Sequence, residues 1–320
     1  MEDAVIFDGT GLCACFRIVS EYCILYACGV IEMGKLDAIV DPILKKYGIP
    51  AWVSPFIYSY VKSDPLNAVR KGLSFIDTKR KKGEVTKKGI ALPNGYIFNI
   101  KSIEEILSAF FYIEDRSSKI MEFWISQPSG HDYSEYRNYF QSLSESDRRH
   151  ARAIKNLAEG LGLKIVPARK EMQDVFDYLQ SIASWPERLI AAEVVLKRAY
   201  ATFGMVFYRV FYPSSPEFMR SFVKVFRSEE IESWESDEVT KIIKSGIISG
   251  ARLTELSLDI LRMAYKSMYA YIPIAKREKI EKEVLLVMNV AIAHPLQFLK
   301  EQGIDIDVEA EVKAITKSKR

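Results

Sequence analysis

Apolar residues recur every three or four positions through the middle of this 320-residue chain, and acidic residues interrupt the pattern. Between Phe140 and Leu161 the interruption is made by Asp147 and His150, which are three residues apart. Residues at this spacing lie on one face of a helix, and here that face is the apolar one. Burying a polar group without a partner costs roughly 2–7 kcal/mol, and burying a charge costs more. A bound metal ion is one way to offset that cost, so the pattern indicates a metal site.

Four helices are predicted within residues 101–235, and each carries at least one acidic residue on an otherwise apolar face. The first begins at Ser102 as its N-cap and ends near Ser126, the second ends at Gly160 and Gly162, the third begins at Pro186, the fourth follows residues 212–216, and a shorter helical piece spans 169–183. The polar residues on the four faces are, in chain order, Glu114, Asp147 with His150, Glu193, and Glu229 with Glu232. We therefore expect these side chains to face one interior.

Inward-facing carboxylates on four helices are typical of bundles that bind two iron or manganese ions, in which two helices carry Glu-x-x-His pairs. Carboxylate oxygens and imidazole nitrogens suit iron, manganese or zinc. Carboxylates can also bridge two cations, whose charge cancels the repulsion among the clustered acids. The sequence therefore predicts a carboxylate-rich metal centre, with iron as the first candidate and manganese or zinc as alternatives.

The segment from Tyr139 to Leu163, which reads YFQSLSESDRRHARAIKNLAEGLGL, resembles the second helix of the ferritin-like superfamily, of the rubrerythrin and bacterioferritin type. The 33-residue interval from Glu114 to Asp147 is similar to the family's spacing, and residues 213–217 (PSSPE) are similar to its third-to-fourth connection. The resemblance covers residues 101–235. It implies a mainly α-helical protein with a ferritin-like four-helix bundle and diiron or mixed-metal oxidase or oxygenase activity. The ligands that it implies are Glu114, Asp147, His150 and Glu193.

The chain departs from the family pattern at two places. Asp147 stands where the family has Glu, which keeps a carboxylate at that position. The second half of the family's site has Glu-x-x-His, whereas this chain has Glu229-x-x-Glu232. A non-enzymatic helical scaffold, or a subunit of a larger complex with a metal-free bundle, is therefore the competing hypothesis. Whether the chain is an enzyme stays open.

Each candidate ligand also has an ordinary structural role open to it. The alternatives are a half-exposed Glu114 beside Arg116 or Lys119, a surface salt bridge of Asp147 with Arg148 or Arg149, a core histidine at position 150, an i,i+4 pair of Glu193 with Lys197, and a solvated acidic face for Glu229 and Glu232.

The segments before and after the predicted bundle are expected to be helical as well. Residues 1–100 form a helical segment with a β-hairpin at 89–100, around a Pro-Asn-Gly turn. The basic stretch from Lys79 to Lys88 is expected to be a solvated loop, which leaves contact with nucleic acid open. Residues 236–320 form a further helical segment, in which His294 and the following proline end a helix; this imidazole is a further candidate for the site. We expect a protein partner to bind the flanking segments.

Composition places the chain among globular proteins, with 48% hydrophobic and 27% charged residues. The formal charge of +3 is close to balance, so it does not predict a polyanionic partner.

The most apolar stretch, Leu12 to Met33, contains the four cysteines and is interrupted by Arg17 and Glu21. This pattern predicts a buried helix rather than a membrane span or a disulfide framework. The acidic start lacks the features of a secretory signal and favours the cytoplasm. Scarce Asn and Gln favour a thermophilic source, and self-association stays open.

Overall fold

A computed structural model of the chain describes residues 55–56, 84–86, 89–91, 97–127, 134–204 and 237–317. This part is mainly helical, as the sequence predicts. The predicted fourth helix, with Glu229 and Glu232, and the apolar stretch from Leu12 to Met33 lie outside the described residues.

The described helices are numbered here in chain order. They are α1 (Ile100–Ser126), α2 (Ser134–Gly160), α3 (Lys170–Ser181), α4 (Trp185–Ala191), a nine-residue π-helical segment (Ala192–Tyr200, here the π segment), α5 (Asp237–Ser245), α6 (Gly250–Tyr269), α7 (Ile272–Arg277), α8 (Glu281–Glu301) and α9 (Val308–Lys317). The predicted helical piece at 169–183 corresponds to α3, and the predicted start at Pro186 corresponds to α4 within one residue. Among the described residues no helix combines the length and hydropathy that a membrane span requires.

Three short strands precede α1: β1 (Glu84–Thr86), β2 (Gly89–Ala91) and β3 (Ile97–Asn99). They form one antiparallel sheet in the order β1-β2-β3. The pairing of β2 with β3 confirms the predicted hairpin, with Ile90 opposite Phe98. Strand β1 corrects the expectation of a loop from Lys79 to Lys88, because its central residue, Val85, pairs with Ile90. A Val-Thr pair has the β-propensity that the surrounding lysines obscure in the sequence.

The N-cap of α1 differs from the prediction by three residues. Asn99, rather than Ser102, is the N-cap, and its side-chain oxygen accepts a hydrogen bond of 2.9 Å from the Lys101 backbone N–H. Ser102 lies inside the first turn, is fully buried and donates its hydroxyl hydrogen to the carboxylate of Glu278. Glu278 also accepts a bond of 3.3 Å from the Asn99 backbone N–H. The Ser102 side chain therefore ties α1 to the end of α7 instead of capping its own helix.

Helices α1 and α2 form an antiparallel pair. Near their connection the rings of Trp124 and Phe140 lie 5.4 Å apart. Further along, the hydroxyl oxygens of Ser118 and Ser144 lie 3.1 Å apart and both side chains are buried. Small side chains at this level let the two backbones approach closely, which brings the polar residues of the next turn into contact.

The core continues from this pair into the rest of the described chain. The ring of Phe176 on α3 meets the edge of Tyr112 on α1 at 5.5 Å and stacks on Tyr200 of the π segment at 6.1 Å. On its other side the π segment packs against α6 and α8, and the Tyr200 hydroxyl bonds to Ser267 of α6 at 2.6 Å. The π segment is thus held between two groups of helices.

Helix α8 corrects the prediction that His294 and its proline end a helix. The helix runs through Pro295 to Glu301. A proline inside a helix costs about 3 kcal/mol. Here the residues that follow it, Leu296, Phe298 and Leu299, are all buried in the core. Their burial at roughly 1.5–3 kcal/mol each outweighs the cost of the proline.

Candidate metal centre

Glu114 of α1 and Asp147 and His150 of α2 converge at the interface of the antiparallel pair. One possible ligand atom from each lies within 4.8 Å of those of the other two. The Nδ1 atom of His150 is 3.5 Å from Oε2 of Glu114. Glu114 and His150 are buried at 5% exposure each, and Asp147 is half-buried at the edge of the group. We refer to these three residues as the carboxylate–histidine cluster.

The cluster forms because the apolar face of α1 packs against the apolar face of α2. On α1 the residues spaced by three and four around Glu114 are buried, namely Leu107, Phe110, Glu114, Ser117, Met121 and Trp124. On α2 the apolar face is buried at Phe140, Leu143, His150 and Ile154 and is partly buried at Leu157 and Leu161. Because Asp147 and His150 are one helical turn apart, both reach the same level of α1. The structure therefore brings three of the six predicted ligand residues close together.

The two basic residues that the sequence suggests as alternative partners of Glu114 form ion pairs with other acidic residues. Arg116 binds Asp177 of α3 at 3.0 Å, and Lys119 binds Asp115 at 2.6 Å. The half-exposed alternative for Glu114 is therefore wrong, because this carboxylate is buried and faces an imidazole.

Arg148, offered as a surface partner of Asp147, forms its ion pair with Glu122 of α1. Both side chains of that pair are exposed to solvent. Arg148 therefore reinforces the packing of α1 on α2.

The spacing of the cluster fits a single first-row cation. Metal–nitrogen and metal–oxygen bonds in such sites are about 2.0–2.2 Å, so two ligands of one ion are at most about 4.4 Å apart. The 3.5 Å separation of His150 Nδ1 and Glu114 Oε2 is inside this limit. A side-chain rotation that moves a ligand atom by about half an ångström brings the widest separation inside it as well, because rotamer wells are broad at carboxylate groups. One nitrogen and two carboxylate oxygens form a donor set for manganese, iron or zinc.

Glu193, predicted as a ligand on the third helix, is fully buried but is not a member of the cluster. Its Oε1 lies 2.8 Å from Nη2 of Arg198 in an ion pair. The predicted i,i+4 partner, Lys197, instead places its Nζ 5.0 Å from the ring centre of Tyr139 on α2. The sequence pattern did not indicate Arg198, because the pairing offsets of an α-helix are three and four residues, and Arg198 is five residues from Glu193 in the π segment. The other two predicted ligands, Glu229 and Glu232, lie outside the described residues.

His294 of α8, the other imidazole considered for the site, contacts the π segment and the residues after it. Its Nε2 is 3.2 Å from Nη1 of Arg198, and its Nδ1 is 2.9 Å from the Thr202 hydroxyl. Because a guanidinium only donates, Nε2 accepts, and the ring carries its proton on Nδ1. Burial and the nearby Arg198 charge lower the pKa of His294 to about 3. This histidine is therefore a neutral bridge between α8 and Arg198 and is not part of the cluster.

The lowered pKa of His294 predicts how the free energy of unfolding changes with pH. Between the ordinary value of 6.5 and the folded value of about 3, the unfolded chain takes up a proton that the folded chain excludes. The contribution of neutral His294 is complete above pH 6.5 and decreases as the pH falls through this window, by up to ~1.4 kcal/mol per pH unit. His294→Asn cannot titrate, so its free energy of unfolding should fall less steeply than that of the wild type. Urea unfolding at pH 7.5, 6.5 and 5.5 measures both slopes, and equal slopes would contradict a neutral His294.

Comparisons with known proteins identify no relative. No family model, curated protein or solved structure matches the chain. A function for the chain therefore has to be argued from its own residues.

Proposed function

We propose that the chain is a metal-binding protein whose carboxylate–histidine cluster holds a divalent first-row transition metal. The observation that supports this proposal is the convergence of three donors from two helices within 4.8 Å, two of them buried. Two carboxylates at this separation repel each other when both are ionised, because the surrounding core is a poor solvent for charge. A divalent cation removes that repulsion and satisfies the imidazole in the same step.

The more specific proposal is a ferritin-like dinuclear centre. An acid on one helix and a carboxylate-x-x-His pair on its antiparallel neighbour correspond to one half of the carboxylate diiron pattern. The second half would need Glu193 together with Glu229 or Glu232. A redox-active iron or manganese pair, when bound, would supply electrons for oxidase or oxygenase chemistry. The chain's own contribution is positional: α1 and α2 hold Glu114 and His150 in a core from which most solvent is excluded.

One observation favours the competing hypothesis of a metal-free helical scaffold or subunit of a larger, for example nucleoprotein, complex. The guanidinium of Arg198 lies against the Glu193 carboxylate and supplies the positive charge that a second metal would supply. The contact of His150 with Glu114 would likewise serve as a structural ion pair or hydrogen bond without any metal. In this alternative the protein's role is to present a surface to a partner, and the cluster only stabilises the helix pair.

Metal content separates the two hypotheses. The full chain is purified without chelator, stripped, and reloaded with Mn²⁺, Zn²⁺ or, under anaerobic conditions, Fe²⁺, after which elemental analysis gives the number of ions per chain. We expect at least one ion per chain and a thermal unfolding midpoint that falls when a chelator is added. A ligand present at 100 times its dissociation constant stabilises the folded state by ~2.7 kcal/mol.

Stoichiometry then distinguishes the general proposal from the specific one. Two ions per chain would support the dinuclear centre, whereas one ion would support a mononuclear site at the cluster alone. A chain that takes up no ion and melts at the same temperature with and without chelator would support the scaffold.

A further inference from the structure

The indole of Trp124, near the end of α1, carries a polar group that the fold leaves without a partner. Its Nε1 atom is buried, and no protein acceptor in the described part of the chain lies within hydrogen-bond distance of it. A buried donor without an acceptor costs free energy, and a bound ligand is one explanation for such a group. Trp124 is ten residues from Glu114 on the same helix, which is about 15 Å along its axis. This place is therefore separate from the carboxylate–histidine cluster.

A positively charged side chain with unused donors lies over the same ring. The guanidinium carbon of Arg188 on α4 is 5.9 Å from the centre of the Trp124 ring. The Nε atom of Arg188 donates a bond of 2.7 Å to the carbonyl oxygen of Ile182, which fixes the side chain at the end of α3. Its two Nη groups are available to another acceptor, because no carboxylate among the described residues forms an ion pair with Arg188. Partial burial lowers the pKa of this guanidinium, as expected where no acid opposes the loss of water.

Aromatic rings surround these donors. The centre of the Phe140 ring on α2 is 5.4 Å from that of Trp124 and 5.7 Å from that of Trp185 on α4. The rings of Tyr136 and Trp185 meet edge to face with their centres 4.1 Å apart, and both side chains are partly exposed. The aromatic cluster therefore extends from the buried Trp124 to the protein surface. A small molecule that binds there contacts both apolar rings and a positive charge.

We propose that Trp124, Arg188 and the rings around them form a binding site for a small organic anion, namely a carboxylate attached to a planar apolar body. A guanidinium binds a carboxylate through charge-assisted bonds of about 2.7–2.9 Å, and the carboxylate oxygens have further lone pairs for a third donor, the Trp124 indole. The planar body packs against Phe140 and Trp185 in the offset or edge-to-face arrangements that aromatic rings prefer. Such a ligand satisfies the buried donor and neutralises the cation together. The site does not depend on a metal ion at the carboxylate–histidine cluster.

Nuclear magnetic resonance of the full chain labelled with ¹⁵N-tryptophan tests the site in the wild-type protein. The chain has four tryptophans and so four indole N–H signals, and the signal of Trp124 is identified by its loss in Trp124→Phe. Titration with benzoate should shift the Trp124 signal downfield to saturation, because its N–H gains a charged acceptor. Benzamide has the ring without the charge and inorganic phosphate has the charge without the ring, so both should bind at least tenfold more weakly. No shift with benzoate, or equal binding of either control compound, would overturn the proposal.

Arg188→Gln tests the role of the guanidinium. The variant removes the charge but keeps an N–H group for the Ile182 carbonyl oxygen, and its affinity for benzoate should be at least tenfold lower than that of the wild type. Arg262→Gln on α6 is the matched control, because it makes the same change at an exposed arginine that is paired with Asp259, and it should leave the affinity unchanged. Equal affinities of Arg188→Gln and the wild type would overturn the proposal. If Arg188→Gln did not fold, the titration of the wild-type chain would still decide.

Discussion

Replacement of His150 by Asn should weaken metal binding by the full chain by roughly 100-fold or more. Groups that only support a metal ligand typically contribute 10–100-fold to affinity, and His150 is the only nitrogen donor in the cluster. Its loss would leave Glu114 and Asp147 facing each other without full compensation. Their mutual repulsion would favour the uptake of a proton over a metal ion. Competition titrations of Zn²⁺ and Mn²⁺ against a chromophoric chelator give the affinities, and elemental analysis gives the stoichiometry.

His294→Asn is the matched control for this experiment. It makes the same change at a histidine that contacts Arg198 and Thr202 rather than the cluster, so metal binding should be preserved while stability changes. The two variants together separate a ligand from a structural histidine. If His150→Asn bound metal as tightly as the wild type, His150 would be a structural partner of Glu114. The diiron hypothesis would then lose its main support.

The cluster was predictable because it depends on local rules alone. An apolar face with a spacing of three and four residues has to be buried, and any polar residue in that face is buried with it. Glu114 and His150 therefore had to lie in the interior of whatever α1 and α2 form. The half-buried position of Asp147 at the edge of the cluster could not be predicted, because the edge is set by how closely the two helices approach.

Other features depended on partners that are distant in the sequence or on a rare backbone. Ser102, with Glu105 three residues on, satisfies the pattern of a capping box, yet its hydroxyl binds Glu278, which is 176 residues further along the chain. If Glu193 is not a ligand, the ordinary spacing of an α-helix makes Lys197 its ionic partner, yet the ion pair in the structure is with Arg198, five residues on in the π segment. Both differences have the same cause. A local sequence pattern shows which residues could pair, but the packing of the folded chain determines which of them do.

The largest effect on stability is expected at Phe176, which is fully buried where three elements meet. Phe176 lies on α3, and the centre of its ring is 5.5 Å from that of Tyr112 on α1 and 6.1 Å from that of Tyr200 in the π segment. Phe176→Ala should lower the free energy of unfolding by about 3–5 kcal/mol, since it removes buried apolar surface and leaves a cavity that rigid neighbours cannot fill. Guanidinium chloride unfolding measures the loss.

Two controls assign that loss to the cavity. Phe123→Ala on α1 removes the same ring from a position that is 37% exposed, and surface changes of this kind typically stay within about 0.5 kcal/mol. Phe176→Leu keeps most of the volume and should lose less than half as much as Phe176→Ala. Metal stoichiometry should be unchanged in both Phe176 variants, because none of the three cluster residues is replaced.

A loss below about 1 kcal/mol for Phe176→Ala would mean that Tyr112 and Tyr200 close the cavity by moving together. In that case the contact between α1 and the π segment would be adaptable rather than rigid, and the close packing described for this part of the core would be wrong.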